Sequence, residues 1–226
     1  IKYVGSYISL SVLTLIPFFF FVFYKDLLND SQNQNNNQKS FLDLLSNKQI
    51  VQAISSAGIG YIVMSIIMTA TPLSMYEFEK FTLFSTGIVI QLHVCGMFLP
   101  SLITGDLIKN FGHSLMIYAG IIILFLCIII NFFFQTYYGY MIGLILLGVG
   151  WNFLFVTGSS LLVISYKPED KFRAQGLNDF VVFTTQALGA LSAGFLLYAT
   201  NWKILNILCI PLLFIVLYFS LIASKK

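Results

Sequence analysis

Long apolar runs alternate with short polar breaks along this chain. Seven runs stand out: Tyr3–Phe23, Ile54–Met75, Leu83–Ile103, Leu115–Phe134, Tyr138–Tyr166, Phe180–Ala199 and Ile204–Ser224, here called spans A to G. Each offers the roughly 20 mostly apolar residues that an α-helix needs to cross a bilayer. The runs are continuously apolar and lack the period-two alternation of a membrane β-barrel strand. Hydrocarbon cannot satisfy an open sheet edge, so helix is the element predicted for every span. The expected fold class is all-α: a polytopic membrane protein with seven transmembrane helices.

The breaks carry the charges. No Asp, Glu, Lys or Arg lies in the core of any span, as expected where a mid-membrane charge costs several kcal/mol. Lys25, Lys39, Lys48, Lys109, Lys167, Lys171, Arg173, Lys225 and Lys226 fall on one set of breaks, and only Lys2, Lys80 and Lys203 on the other. The positive-inside rule then predicts a cytoplasmic C-terminus, with residue 1 outside, in a plasma (inner) membrane. Composition agrees. Of 226 residues, 58% are hydrophobic and 9% charged, against about 25% charged in a soluble domain. This excludes a soluble globule, a disordered chain and a nucleic-acid partner. The three cysteines, Cys95, Cys127 and Cys209, lie inside apolar runs and make neither a disulfide framework nor a zinc site.

The organisation is one span, a linker and six spans. Residues 1–24 form the first helix. Residues 25–49 contain the Asn/Gln tract Asn29–Gln38, whose composition cannot bury a core and reads as a flexible cytoplasmic linker. Within it, Ser40–Lys48 has the pattern of a short amphipathic helix on the membrane surface. Residues 50–226 form two groups of three spans, an arrangement that suggests an inverted repeat. Spans D and G are the most uniformly apolar, interrupted by Asn131, Asn206 and Pro211, and are expected to face lipid. Spans B, C, E and F carry the small and polar residues. Lys167–Leu177, with Pro168 suited to a first helical position, is expected to be a short surface helix entering span F. The chain starts with Ile1 directly before a span and shows no cleavable leader; a fragment is expected.

Candidate chemistry is sparse. His93 is the only ionisable side chain near the middle of a span; Gln91, Gly96 and Pro100 share its helix. It could titrate or bind a ligand, or make an interhelical hydrogen bond. In span E, Asn152 must find a partner in hydrocarbon. Trp151 is too deep for an interfacial belt and with Phe155 could stack on a flat ligand. The glycines beside them, and the Gly139–Gly143 pair, permit close helix packing. Gln186 is the deep polar residue of span F, and Asp179 at its start could pair with a cation or cap a helix. Pro72 should kink or break span B near its outer end. No phosphate loop, nucleophile elbow, HExxH or paired intramembrane carboxylate is present, and the two histidines make no metal set. No cofactor is expected.

Several stretches resemble the major facilitator superfamily of transporters. Gly105-Asp106-Leu107-Ile108-Lys109-Asn110-Phe111-Gly112 resembles that family's cytoplasmic motif Gly-x-Leu-x-Asp-Arg-x-Gly. Gly105, Leu107 and Gly112 match, whereas Lys109 and Asn110 stand where the family has Asp and Arg, which puts its charge-based gating contacts in question. Met68–Leu73, Gln91-Leu92-His93, Gly148–Phe155 and Ala174–Phe180 are similar to a bacterial branch related to a riboflavin-type transporter. The resemblance implies that spans A to G are helices six to twelve of a twelve-helix protein. The fold implied is the C-terminal six-helix bundle of that family plus one preceding helix. The function implied is secondary active transport of a small molecule by alternating access, in partnership with a missing N-terminal half and the bilayer. Spans B and E would line the cavity, C and F would flank it, and Gln91, His93, Trp151, Asn152, Phe155 and Gln186 would contribute to it. A seven-helix receptor or photoreceptor shares the topology, but span G has no Lys for a Schiff base. An integral membrane enzyme lacks the acid/base set.

Overall fold

The computed structural model describes residues 4–23 and 40–224. All its regular elements are helical. Lys2, Lys25, Lys39, Lys225 and Lys226, five of the charges that set the expected sidedness, lie outside the described residues, as does the Asn/Gln tract.

The chain divides into two units, residues 1–36 and 37–226. Helix α1, Val4–Phe23, belongs to the first and occupies expected span A. Its described apolar stretch is Ile8–Pro17. The second unit holds α2 (Phe41–Leu45), α3 (Lys48–Leu73), α4 (Leu83–Phe98), α5 (Ser101–Phe111), α6 (His113–Phe133), α7 (Tyr137–Ser165), α8 (Lys171–Ala199), α9 (Trp202–Leu208) and α10 (Ile210–Ser224). Six spans among the described residues are long and apolar enough to cross a membrane: Lys48–Phe78, Leu83–Phe111, His113–Phe133, Tyr137–Ser165, Pro168–Ala199 and Trp202–Ser224.

The polar breaks act as helix starts. The side chains of Asn47, Thr82, Thr136 and Asn201 accept hydrogen bonds from the backbone N–H groups of Gln49, Ser85, Gly139 and Ile204. Each occupies an N-cap position and satisfies a donor that the first helical turn leaves open. The short helix expected over Ser40–Lys48 is α2, with Ser40 N–H donating to Asp43 Oδ2 at 3.1 Å.

Boundaries differ from the sequence expectation wherever a proline or a glycine sets them. Span C is interrupted: Pro100 has no N–H to give to Gly96, and α4 ends in a turn before α5. The Gly105–Gly112 stretch, expected as a loop, is helical through Phe111; only Gly112, at φ 82°, turns the chain into α6. Span G is likewise divided at Cys209, two residues before Pro211. The Lys167–Leu177 segment is a 3₁₀ turn over Pro168–Asp170 that runs straight into α8. Beyond Pro72, α3 relaxes into a π-helical turn, Ser74–Phe78, where Ser74 Oγ and Tyr140 OH share a 2.7 Å hydrogen bond.

Helices α3 and α7 lie at the centre of the second unit, the two most buried spans. Helix α3 packs on α7, α8 and α10; α7 packs on α3, α4 and α6. Spans D and G, expected to face lipid, are α6 and α9–α10; they keep apolar side chains such as Ile122, Leu126, Phe214 and Leu221 exposed and turn the asparagines of their runs inward. Asn131 and Asn206, the interruptions in their apolar runs, are buried and bonded to each other, Nδ2 of Asn131 donating to Oδ1 of Asn206 at 2.8 Å. A buried polar group is costly unless paired: Asn206 also donates from Nδ2 to Trp202 O at 2.8 Å, whereas Asn131 Oδ1 is buried without a partner.

Candidate functional site

Glycine brings α4 and α7 together. A Cβ on Gly148 would lie 2.6 Å from His93 O and 2.8 Å from Met97 N, and one on Gly96 would lie 2.8 Å from Ile145 O. Small residues let membrane helices approach backbone to backbone. At this contact the ring of His93, buried, donates from Nδ1 to Leu144 O at 2.8 Å. Its Nε2 is buried without a partner. Of the two roles that the sequence leaves open for His93, the geometry displays the interhelical bond.

One turn along α7, Asn152 clasps the α4–α5 interruption. Its Nδ2 donates to Met97 O at 2.7 Å and to Ser101 Oγ, and its Oδ1 accepts from Thr104 Oγ1 at 2.8 Å. At the interruption before Pro100 the Asn152 amide thus reaches both the backbone of α4 and the first turn of α5. Ser101 and Thr104 are part of this site although nothing in the sequence reading pointed to them. The signal available was their place directly after a mid-span proline, where freed backbone groups need side-chain partners.

Beside the clasp lies an aromatic cluster shared by three helices. Trp151 and Phe155 stack on each other, with ring centroids 5.1 Å apart and planes 15° apart. Tyr61 of α3 meets Trp151 edge-on at 5.1 Å and Phe155 edge-on at 5.0 Å, and Phe98 of α4 approaches Trp151 at 6.4 Å. Offset and edge-to-face pairs at these distances are the favoured arrangements of aromatic quadrupoles. Trp151 is 4% exposed, Tyr61 and Phe155 are half-buried, and Phe98 is 60% exposed. Tyr61 and Phe98 escaped the sequence reading because nothing in a run of apolar residues shows which aromatics converge.

The remaining candidates are dispersed. Gln91 is exposed on the opposite side of α4 from buried His93, since residues two apart on a helix point about 200° from each other. Gln186 is half-buried on α8. Asp179 lies within α8, not at a helix end, and accepts from Asn178 Nδ2 at 3.3 Å. Gly105, Lys109 and Asn110 are exposed on the last turns of α5, away from the aromatic cluster along the span. Pro72 is inside α3, two residues before the π-helical turn. His113 opens α6 and shares a 3.1 Å hydrogen bond with Ser160 Oγ of α7. Among the described residues no group of three or more His, Cys, Asp or Glu is placed to hold a metal ion.

The Major Facilitator Superfamily profile matches residues 53–226. A riboflavin transporter of Brucella anthropi is 30% identical over 220 residues, covering 95% of this chain and 54% of that protein. Two uncharacterised transporters of the same superfamily from Bacillus subtilis are 33% identical over 173 residues and 32% over 149; these cover 73% and 65% of this chain but 39% and 34% of the relatives. The chain thus spans between a third and about half the length of the curated relatives it matches. With a superfamily match over all six apolar spans of the second unit, this chain belongs to the Major Facilitator Superfamily and is a multi-pass membrane protein.

Proposed function

We propose that the chain is the second half of a secondary transporter that moves a small molecule by alternating access. The observation that carries this reading is the superfamily match over residues 53–226, laid on helices whose polar and aromatic residues gather at mid-span beside an interrupted helix. Transporters of this kind place their sites near the bilayer midplane, at the junction of two repeats. The 54% coverage of the Brucella protein leaves room for a first half of similar size. In this reading that half is part of the same protein and closes the cavity from the other side. Residues 1–24 are the last helix before the central linker of residues 25–49, and residues 50–226 form the second bundle.

Within the cavity, Gln91, Gln186 and Phe155 keep accessible surface, while His93, Trp151 and Asn152 fix the wall from behind. The Gly105–Gly112 stretch and the π-helical turn after Pro72 mark the two ends at which the half-bundle meets its partner. The distribution of Lys and Arg supports a plasma-membrane protein with a cytoplasmic C-terminus. The name of the Brucella relative supplies the first substrate to try. The test is uptake by the full-length protein in proteoliposomes, with riboflavin first and then a panel of small molecules under imposed proton and sodium gradients. Saturable uptake above that of protein-free vesicles is expected. No uptake of any compound, in either direction and with either gradient, sinks the proposal.

A further inference from the structure

We infer that the mid-span aromatic cluster is the contact surface for an uncharged planar ring of the transported molecule, with Tyr61, Phe98 and Phe155 touching the ring and Trp151 backing them. This rests on the transporter reading and narrows its substrate class. Depth is the first argument. The spanning segments Lys48–Phe78, Leu83–Phe111 and Tyr137–Ser165 have their midpoints at residues 63, 97 and 151. Tyr61, Phe98 and Trp151 each lie within two residues of those midpoints. Three helices therefore deliver aromatic rings to one depth at the bilayer centre, where an alternating-access site is reached from both sides.

Exposure is the second. Trp151 is buried, stacked on Phe155 and met at right angles by Tyr61, so it cannot itself offer a free surface. The half-buried Tyr61 and Phe155 and the 60%-exposed Phe98 can. The Tyr61 hydroxyl has no hydrogen bond within the described residues. Facing hydrocarbon at mid-depth it would go unsatisfied, whereas facing a wet or ligand-filled cavity it would not. Charge is the third. No Asp, Glu, Lys or Arg lies in the span cores, and His93 turns its Nδ1 to Leu144 O. A charged ligand would meet no counter-ion on this half. Along α4, exposed Gln91 and Phe98 lie seven residues apart on one stripe, about 10 Å along the axis. That distance lets an amide meet the polar edge of a fused ring system stacked at Phe98.

The test is equilibrium binding to the purified full-length protein with riboflavin, lumichrome and a neutral purine base as probes, and riboflavin 5′-phosphate as the charged counterpart. Stacking contacts removed by alanine predict that Tyr61→Ala and Phe155→Ala each weaken binding of the neutral probes roughly 5- to 100-fold. Tyr61→Phe should cost less than about 5-fold, because the stacking face remains. Phe195→Ala, at an exposed ring on α8 outside the cluster, should bind as the wild type does. Thermal melting of every variant separates lost contact from lost fold. Neutral probes bound equally by wild type, Tyr61→Ala and Phe155→Ala overturn the inference while leaving the transporter reading intact. So does failure of every neutral planar probe to bind the wild type, or equal binding of the 5′-phosphate. Tight neutral binding with no transport of any compound instead overturns the transporter reading.

Discussion

Replacing Asn152 by alanine should loosen the contact between α7 and the interrupted α4–α5 helix. The side chain makes three hydrogen bonds, to Met97 O, Ser101 Oγ and Thr104 Oγ1. Thr104 also donates to Pro100 O at 2.7 Å, so it keeps a partner after the substitution. Met97 O does not. Interhelical hydrogen bonds in membrane proteins average about 0.6 kcal/mol and reach about 1.7 kcal/mol. Two fully lost bonds and one shared bond therefore come to about 2 kcal/mol. For a domain of this size each kcal/mol lowers the melting temperature by roughly 2–4 °C, which predicts a drop of about 4–8 °C.

The buried thiols of Cys127 and Cys209 provide the assay, because a thiol-reactive dye reaches them only on unfolding. Exposed Cys95 is replaced by serine to remove its background signal. Asn152→Asp gives the sharper test. It keeps the size and the acceptor but points an oxygen at Met97 O, 2.7 Å away. In its ionised form it also places a charge at mid-membrane, at a cost of about 2.5–3.5 kcal/mol. The expected order of stability is wild type, then alanine, then aspartate. An aspartate variant more stable than the alanine variant would refute the donor argument, and an alanine variant that melts with the wild type would refute the clasp.

Two further perturbations probe the same wall. Gly148→Ala should destabilise by about 1–3 kcal/mol, the usual range for overpacking, because its Cβ would press on the backbone of His93, Gly96 and Met97; Gly176→Ala, with open space around it, should be neutral or stabilising, and equal melting of the two variants would dismiss the close approach. His93→Asn offers an amide donor near the Nδ1 position, so it should retain most of the stability and transport that His93→Ala loses; an asparagine variant that melts like the wild type yet transports no better than alanine would assign the histidine's unpartnered Nε2 a part in transport.

The spans were legible because hydrophobic length is set by the bilayer and is written locally. Their ends were less so. A proline's effect can be anticipated at Pro72, Pro100 and Pro211, but its form depends on what the neighbouring helix offers. Pro72 leads into a π-helical turn beside Tyr140, Pro100 into a break held by Asn152, and Pro211 follows a break at Cys209. The Gly105–Gly112 stretch reads as a loop because it is polar, yet nothing before Gly112 stops a helix. Trp151 and Asn152 stand out in the sequence because an indole or an amide at the middle of a greasy run is anomalous, and Phe155 because it follows Trp151 by about one helical turn. Tyr61 and Phe98 do not, since in such a run a single phenol or phenyl ring is ordinary. Only convergence in space distinguishes them.

The deep polar residues share a common fate that bears on how this bundle can move. His93 bonds Leu144 O, Asn152 bonds Met97 O, Ser56 Oγ donates to Leu154 O at 3.0 Å, and Thr185 Oγ1 donates to Gly58 O at 2.9 Å. Each ties a side chain on one helix to the backbone of its neighbour, across the α4–α7, α7–α3 and α3–α8 contacts in turn. Sliding α4, α7 and α3 past one another would break bonds that hydrocarbon cannot replace, and would drive backbone into backbone where glycines sit; Thr185 Oγ1 alone has other acceptors in reach, Val181 O and Val182 O of its own helix at 2.8 and 2.9 Å. The four helices are thus fastened as a slab that resists internal shear. Backbone freedom is left at the π-helical turn of α3 and at the α4–α5 break, where the regular i to i−4 ladder is already interrupted. Polar groups spent on fastening are not available for recognition. What remains exposed or half-buried on the slab near mid-depth is aromatic surface, Thr184 and the amide of Gln186, with Gln91 farther along α4, and none of these carries a charge.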